Sequence, residues 1–183
     1  MSTTTKPVTE TVRYCYTESP LGSIILSGGE QGLQGLHFTD HAHSPQPAPH
    51  WERHDAAFAD ARQQLGEYFE GRRQDFDVAI DLVGSPFELL VWTALQDIAY
   101  GETASYGDIA RRIGRPSAAR AVGAANGRNP VSIIVPCHRV IGADSSLTGY
   151  GWGVERKAWL LDLERGAPVG RTPMLPGLGG RTA

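Results

Sequence analysis

The chain has 183 residues, 40% of them hydrophobic, a formal net charge of −3 and two cysteines. That is enough apolar material for one fair-sized domain or two small ones, but no run approaches the roughly 18–20 apolar residues of a membrane span and the first ten residues lack the apolar core of a signal peptide. Cys15 and Cys137 belong to no CxxC pair, which argues against a disulfide framework or a cysteine zinc site, so the expectation is a cytoplasmic protein without a membrane partner.

Along the chain, Val12–Tyr16 and Ser23–Ser27 flank Ser19-Pro20-Leu21-Gly22 and read as a β-hairpin, with a third strand at Leu33–Phe38 after Gly28-Gly29. Thr39–His50, rich in Pro, His and Ala, reads as a loop. The histidines across this region, His37, His41, His43, His50 and His54, read as solvated rather than metal-ligating. A helix is expected over Asp55–Phe69, with Phe58, Ala61, Arg62, Leu65 and Phe69 at helical spacing, and Phe76–Leu82 alternates like a strand. Residues 1–84 are thus expected to form a small α/β scaffold without a catalytic constellation.

A second unit, residues 85–166, opens at Ser85-Pro86-Phe87-Glu88, which joins an N-cap serine, a first-turn proline and a glutamate three residues past the cap. The helix that follows, to about Ile98, carries Val91, Leu95 and Ile98 as a core stripe with Trp92 beside them. Ser105-Tyr106-Gly107-Asp108 is another capping box and starts a short helix; Gly114-Arg115-Pro116 ends it, and Ser117 is expected to cap a further helix through about Asn126. Helix, tight turn and helix make a helix-turn-helix. In its second helix, among small residues including Ala119, Ala121 and Gly123, Arg120 is the one long side chain. Such a bare helix suits tight packing against another helix, and equally insertion into a groove of DNA.

Charge is unevenly placed. Residues 1–84 hold 6 basic and 12 acidic groups, whereas Ser105–Arg139 holds Arg111, Arg112, Arg115, Arg120, Arg128 and Arg139 against Asp108 alone. One face meeting phosphates accounts for such a patch. Ser132–Val135 reads as a short buried strand that stops at Pro136 and presents Cys137 at its end. A buried cysteine is commonly an inert small hydrophobe. Here His138 follows directly, and a thiol of pKa about 8.5 needs a base or a cation to become a useful thiolate. The Gly- and Pro-rich tail, 167–183, reads as disordered.

From Phe87 to Glu164 the chain resembles the O6-alkylguanine-DNA alkyltransferases, the methylated-DNA–protein cysteine methyltransferases. The segments that carry the resemblance include Tyr100-Gly101-Glu102-Thr103, Ser105-Tyr106-Gly107, Arg120-Ala121-Val122-Gly123, Asn126-Gly127-Arg128-Asn129-Pro130, Ile133-Ile134-Val135-Pro136-Cys137-His138-Arg139-Val140-Ile141 and Leu147-Thr148-Gly149-Tyr150. It implies an α/β N-terminal domain with a ribonuclease-H-like sheet and a mostly helical, winged-helix-like C-terminal domain. It also implies a single-turnover transfer of the alkyl group from O6-alkylguanine in duplex DNA, and from O4-methylthymine, to Cys137.

The resemblance further assigns roles. His138 would deprotonate Cys137 through a water, Glu164 would orient the imidazole, Tyr106 would donate a proton to the leaving guanine, and Asn129 would brace the turn before the cysteine. The main-chain carbonyls of Cys137 and Val140 would accept the guanine 2-amino group. The loop of Tyr150, Gly151 and Trp152 would close the pocket with support from Lys157. Arg120 would enter the base stack as the lesion turns out, with Ser117, Ala119, Ala121, Gly123 and Arg128 on the same DNA-facing surface. No cofactor, metal or obligatory protein partner is implied, and a monomer able to cluster on DNA is expected.

The chain departs from the family pattern at Ala99, Glu88 and, most visibly, Trp152, where the family has glycine; a bulky indole at the pocket rim would either narrow access for large adducts or add a stacking face. Two rivals are a non-catalytic damage-recognition module, which would lack Cys137, and an alkylation-sensing regulator, which would need a zinc-bound domain that these residues do not contain.

Overall fold

The computed structural model of the protein describes residues 11–41 and 44–167. His43 and the tail 168–183 lie outside the described residues.

β1 (Arg13–Thr17), β2 (Ile24–Gly29) and β3 (Gly32–Phe38) form an antiparallel meander, and β4 (Glu52–Arg53) adds to β1 in parallel, giving the order β3-β2-β1-β4. The β1–β2 turn closes through reciprocal Ser19 and Gly22 backbone bonds of 3.1 Å. Register places Cys15 opposite Leu26 and Leu26 opposite Leu36, all fully buried, so one face of the sheet is core. The expected helix over 55–69 forms as a 3-10 turn (Asp55–Phe58) running into α1 (Ala59–Phe69). Phe58, Ala61, Leu65 and Phe69 are buried as the spacing predicts, Arg62 faces solvent, and Tyr68 is buried as well.

Phe76–Leu82 does not become a strand, although exposure alternates from Phe76 to Ile80. It touches β3 at one bridge, Leu33 to Ile80, through Leu33 N to Ala79 O (2.8 Å) and Asp81 N to Leu33 O (2.9 Å). A ladder cannot extend because the next edge position of β3 is taken: Leu36 N donates to Pro130 O (2.8 Å) and Leu36 bridges Val131.

In the second half both expected capping boxes form. Ser85 and Glu88 start α2 (Pro86–Gln96), and Ser105 and Asp108 start α3 (Tyr106–Arg112). Val91, Leu95, Ile98 and Trp92 are buried, and the Trp92 indole donates to Ala125 O (2.9 Å), tying α2 to α4 (Ala119–Gly127). Each such aliphatic side chain taken fully from water contributes about 1.5–3 kcal/mol. Ser117 does not cap α4. Ala118 is the N-cap, without a side-chain bond, because Ala118 N closes a turn on Arg115 O (2.9 Å) and the helix starts one residue later than the serine would allow.

The expected Ser132–Val135 strand is instead a tight turn. Val135 N returns to Val131 O (3.0 Å) and Ile133 has φ of 72°, a conformation a β-branched residue adopts only when its surroundings enforce it. Pro136 then leads into a 3-10 turn, Cys137–Arg139, followed by β6 (Val140–Ile141), which pairs in parallel with β5 (Ala104–Ser105). α5 (Val154–Glu164) closes the fold and packs on the cysteine turn.

Candidate active site

The tight turn and the 3-10 turn bring Cys137 and His138 into the interior, where Cys137 is 3% exposed and His138 is fully buried. Asn129 braces this turn at both ends: its Nδ2 donates to Val135 O (2.8 Å) and its Oδ1 accepts from Val131 N (3.1 Å). Asn126 donates to Cys137 O (3.3 Å). Burial pushes the Cys137 thiol up, while hydrogen bonds from Asn129 and Ser132 and the Lys157 charge pull it down. A neutral resting thiol is thus favoured until a base takes its proton.

A candidate base, His138, follows Cys137 directly in sequence. His138 Nε2 lies 2.8 Å from Glu164 Oε1, and with the carboxylate as acceptor the ring proton sits on Nε2 and Nδ1 is left basic. Nδ1 is buried with no hydrogen-bond partner among the described residues. Burial lowers the His138 pKa against the opposing pull of Glu164, so the imidazole rests neutral. For Glu164, burial alone would raise the pKa, but the hydrogen bonds from His138 and Arg139 and the Arg139 charge outweigh it and hold the carboxyl well below the usual carboxylate range. This is the geometry of a nucleophile, a base and an acid that orients the base.

Two members of the network were not foreseen. Arg139, expected in the phosphate-facing patch, is 6% exposed and forks onto Glu164 through Nε and Nη2, both at 2.9 Å, while Nη1 donates to Ile98 O (2.6 Å). An arginine embedded in an apolar run between Val135 and Ile141 must find a buried carboxylate, and that signal was available in the sequence. Tyr68 of α1 donates to Glu164 Oε1 (2.7 Å). Its only sequence trace is a hydroxyl on a core-facing helix stripe.

The loop after β6 covers this centre. Lys157, fully buried, donates to Val140 O (2.5 Å) and Thr148 O (2.8 Å), and burial lowers its pKa to about 8. Tyr106 O–H donates to Thr148 O (3.0 Å), and its ring faces Gly123 of α4, where an added Cβ would stand 3.6 Å away. Tyr106, the loop, α4 and the cysteine turn are therefore one cluster. Tyr150 is 8% exposed, whereas Gly151 is exposed.

The Trp152 indole packs against the sheet. It donates to Ser132 Oγ (2.7 Å) and makes edge contacts with Phe38, His37 and His41 at centroid distances of 6.0, 5.5 and 5.7 Å. His37 is accordingly packed rather than solvated, and its burial lowers its pKa to about 4. The positive φ values flanking Trp152 fall on Gly149 and Gly153, so the backbone accepts tryptophan without strain.

On the outer surface, Ser117, Arg120, Ala121 and Arg128 are exposed and Ala119 and Gly123 half-buried, so the small-residue face of α4 is open. Arg112 and Arg115 join this exposed group, while Arg111 pairs with Asp108, and Arg128 pairs with Glu88 at 2.6 Å. Glu88 thereby caps α2 and steers Arg128 together.

Two family profiles match the chain: 6-O-methylguanine DNA methyltransferase, ribonuclease-like domain, over residues 12–82, and 6-O-methylguanine DNA methyltransferase, DNA binding domain, over residues 86–166. The methylated-DNA–protein-cysteine methyltransferase of Mycolicibacterium paratuberculosis is 52% identical over 154 residues, which is 84% of this chain and 93% of the relative. That of Methanosarcina acetivorans is 48% identical over 151 residues, 82% of this chain and 97% of the relative. Among solved structures, Mycobacterium tuberculosis OGT in complex with DNA superposes with a TM-score of 0.80 at 50% identity, covering 85% of this chain and 95% of that one. With both halves matched and the cysteine turn built as described, the chain belongs to the methylated-DNA–protein-cysteine methyltransferase family.

Proposed function

We propose that the protein repairs alkylated DNA by direct reversal, with Cys137 as the acceptor. It is a methylated-DNA–protein-cysteine methyltransferase, and each molecule reacts once because the S–C bond it forms is not broken again. The observation that carries the assignment of the site is the buried Cys137–His138–Glu164 arrangement, set one short turn away from an exposed, small-residued helix.

In this reading His138 Nδ1 takes the thiol proton through a water, and the thiolate attacks the alkyl carbon on O6 of guanine. The C–O electron pair leaves to the purine, and Tyr106 O–H supplies the proton that the leaving guanine gains. O6-alkylguanine in duplex DNA is the substrate, and O4-methylthymine is a second one. A buried cysteine cannot reach a stacked base, so the lesion must turn out of the helix, with Arg120 filling the space. Ser117, Ala119, Ala121, Gly123 and Arg128 form the surrounding contact surface. Val140 O and Cys137 O receive the guanine 2-amino group, Lys157 and Asn129 hold the loop and turn, and Tyr150 with Gly151 lines the pocket.

Trp152 acts on this pocket as an anchor for its loop rather than as a plate over it. The units are residues 1–84 and 85–166, the protein acts as a cytoplasmic monomer able to cluster on DNA, and no cofactor or metal takes part. The test is the intact mass after incubation with a duplex oligonucleotide carrying O6-methylguanine. A gain of one methyl on the Cys137 peptide with restored guanine in the DNA is expected. Tight binding without a mass change would overturn the reading.

A further inference from the structure

We infer that Tyr68, on α1 of the N-terminal half, is a positioning residue for the transfer step: its phenol fixes the Glu164 carboxylate as the acceptor of the His138 imidazole. This rests on the alkyl-transfer reading above and gives the sheet-bearing half a part in the chemistry as well as in the scaffold.

Tyr68 O–H donates to Glu164 Oε1 at 2.7 Å, and His138 Nε2 meets the same oxygen at 2.8 Å. The phenol oxygen and Nε2 are 3.5 Å apart, so the three polar atoms form a closed triangle. Tyr68 is fully buried, and its ring is held by edge or tilted contacts with Phe69, Phe76 and Tyr100. A buried phenol must find a partner, and this one has a single well-placed acceptor.

Glu164 receives Tyr68 O–H, His138 Nε2 and Arg139 Nη2 on Oε1, and Arg139 Nε and Gly101 N on Oε2. These five contacts, three of them on Oε1, more than fill the roughly four lone-pair sites of a carboxylate. A carboxylate so occupied is a poor base and cannot swing. The proton that His138 collects from Cys137 therefore stays on the imidazole, and the ring keeps Nδ1 aimed inward. With the phenol removed, more of the Oε1 charge falls on His138, the imidazolium is stabilised and the ring is less firmly held.

The titratable and charged groups around His138 and Glu164 are Tyr68 from α1, Tyr100 after α2, Cys137 and Arg139 from the 3-10 turn, Tyr150 from the loop and Lys157 from α5. Tyr68 is the one whose proton is given to Glu164 from the other half of the molecule.

The test uses Tyr68→Phe in the full chain, which retains the ring and its contacts. Nitrogen-15 NMR of the histidine rings, recorded without DNA, reads the His138 titration, and the transfer rate on methylated duplex is followed against pH. Expected are a His138 midpoint raised by at least about half a pH unit and a transfer rate lowered about tenfold, equal to ~1.4 kcal/mol of barrier. Placing a fluorinated tyrosine at position 68, a stronger donor of the same shape, is expected to move the midpoint in the opposite direction and serves if Tyr68→Phe unfolds. A titration and a rate superimposable on the unsubstituted protein in either variant would overturn the inference. Failure of the unsubstituted protein to take up methyl would instead sink the transfer reading, while the NMR titration still reports on Tyr68.

Discussion

Replacing Trp152 with the glycine usual in its family removes the contacts that bind the pocket loop to the sheet. The indole hydrogen bond to Ser132 contributes about 1 kcal/mol. Truncating a fully buried tryptophan costs about 3–5 kcal/mol, and since Trp152 is half-buried, roughly half of that applies, with the hydrogen bond included. Glycine adds ~0.5–1 kcal/mol of backbone entropy. The expected loss is therefore about 3 kcal/mol, or roughly 6–12 °C in Tm for a chain of this size. Because the ring packs on Phe38 and His37 of β3, the loss is expected to leave the preference between O6-benzyl and O6-methyl substrates alone. Thermal unfolding and the ratio of second-order transfer rates test both parts. A stability change under about 0.5 kcal/mol, together with a benzyl-to-methyl ratio raised tenfold, ~1.4 kcal/mol of barrier, would refute the anchoring role and restore a gate over the pocket.

Cys137→Ser is expected to abolish methyl transfer while duplex binding stays within about threefold, under ~0.7 kcal/mol; intact mass and fluorescence anisotropy check the two, and transfer at comparable speed would displace Cys137. Arg120→Ala is expected to slow repair of a paired lesion at least about tenfold, ~1.4 kcal/mol of barrier, with little effect on free O6-benzylguanine, which needs no extrusion. An equal loss on both substrates would assign Arg120 to folding or chemistry. His37 rests neutral with its pKa lowered by burial to about 4, so the unfolded chain binds the extra proton first as pH falls. Its contribution is complete above about pH 6.5 and is lost toward pH 4, amounting to roughly 2 kcal/mol at pH 5. Urea unfolding at pH 7 and pH 5 reads this loss, and His37→Gln, which cannot titrate, is expected to reduce it; an undiminished loss in that variant would place the titrating group elsewhere.

Local signals in the sequence were reliable where local physics decides the outcome. Ser85 and Ser105 cap helices because each has an acidic residue three positions on to complete the box, and the hairpin and α1 follow their patterns. Ser117 had no such partner, and a neighbouring turn took over. Ser132–Val135 looks like a strand by its β-branched residues, but Asn129 and Val131 force it into a turn that places Ile133 at positive φ, which no window of propensities contains. At the site, Cys137, His138 and Glu164 were legible through motif and family resemblance. Tyr68, 70 positions from His138 and 96 from Glu164, and the inward turn of Arg139 depend on how the two halves meet. Trp152 shows the same limit, since its direction is decided by Phe38, His37 and Ser132 on distant segments.

The free edge of β3 is not left open to solvent: Ile80 covers it near Leu33, and Pro130 and Val131 cover it at Leu36. Unpaired strand edges invite association with other chains, and here the cover on one part of the edge comes from the segment that leads to the nucleophile. Melting the sheet therefore releases the Pro130–Val131 backbone at the same moment, and opening the cysteine turn uncovers an aggregation-prone strand. The halves are bound to a common fate under heat. A single calorimetric transition, with calorimetric and van't Hoff enthalpies equal, is the signature of that shared edge.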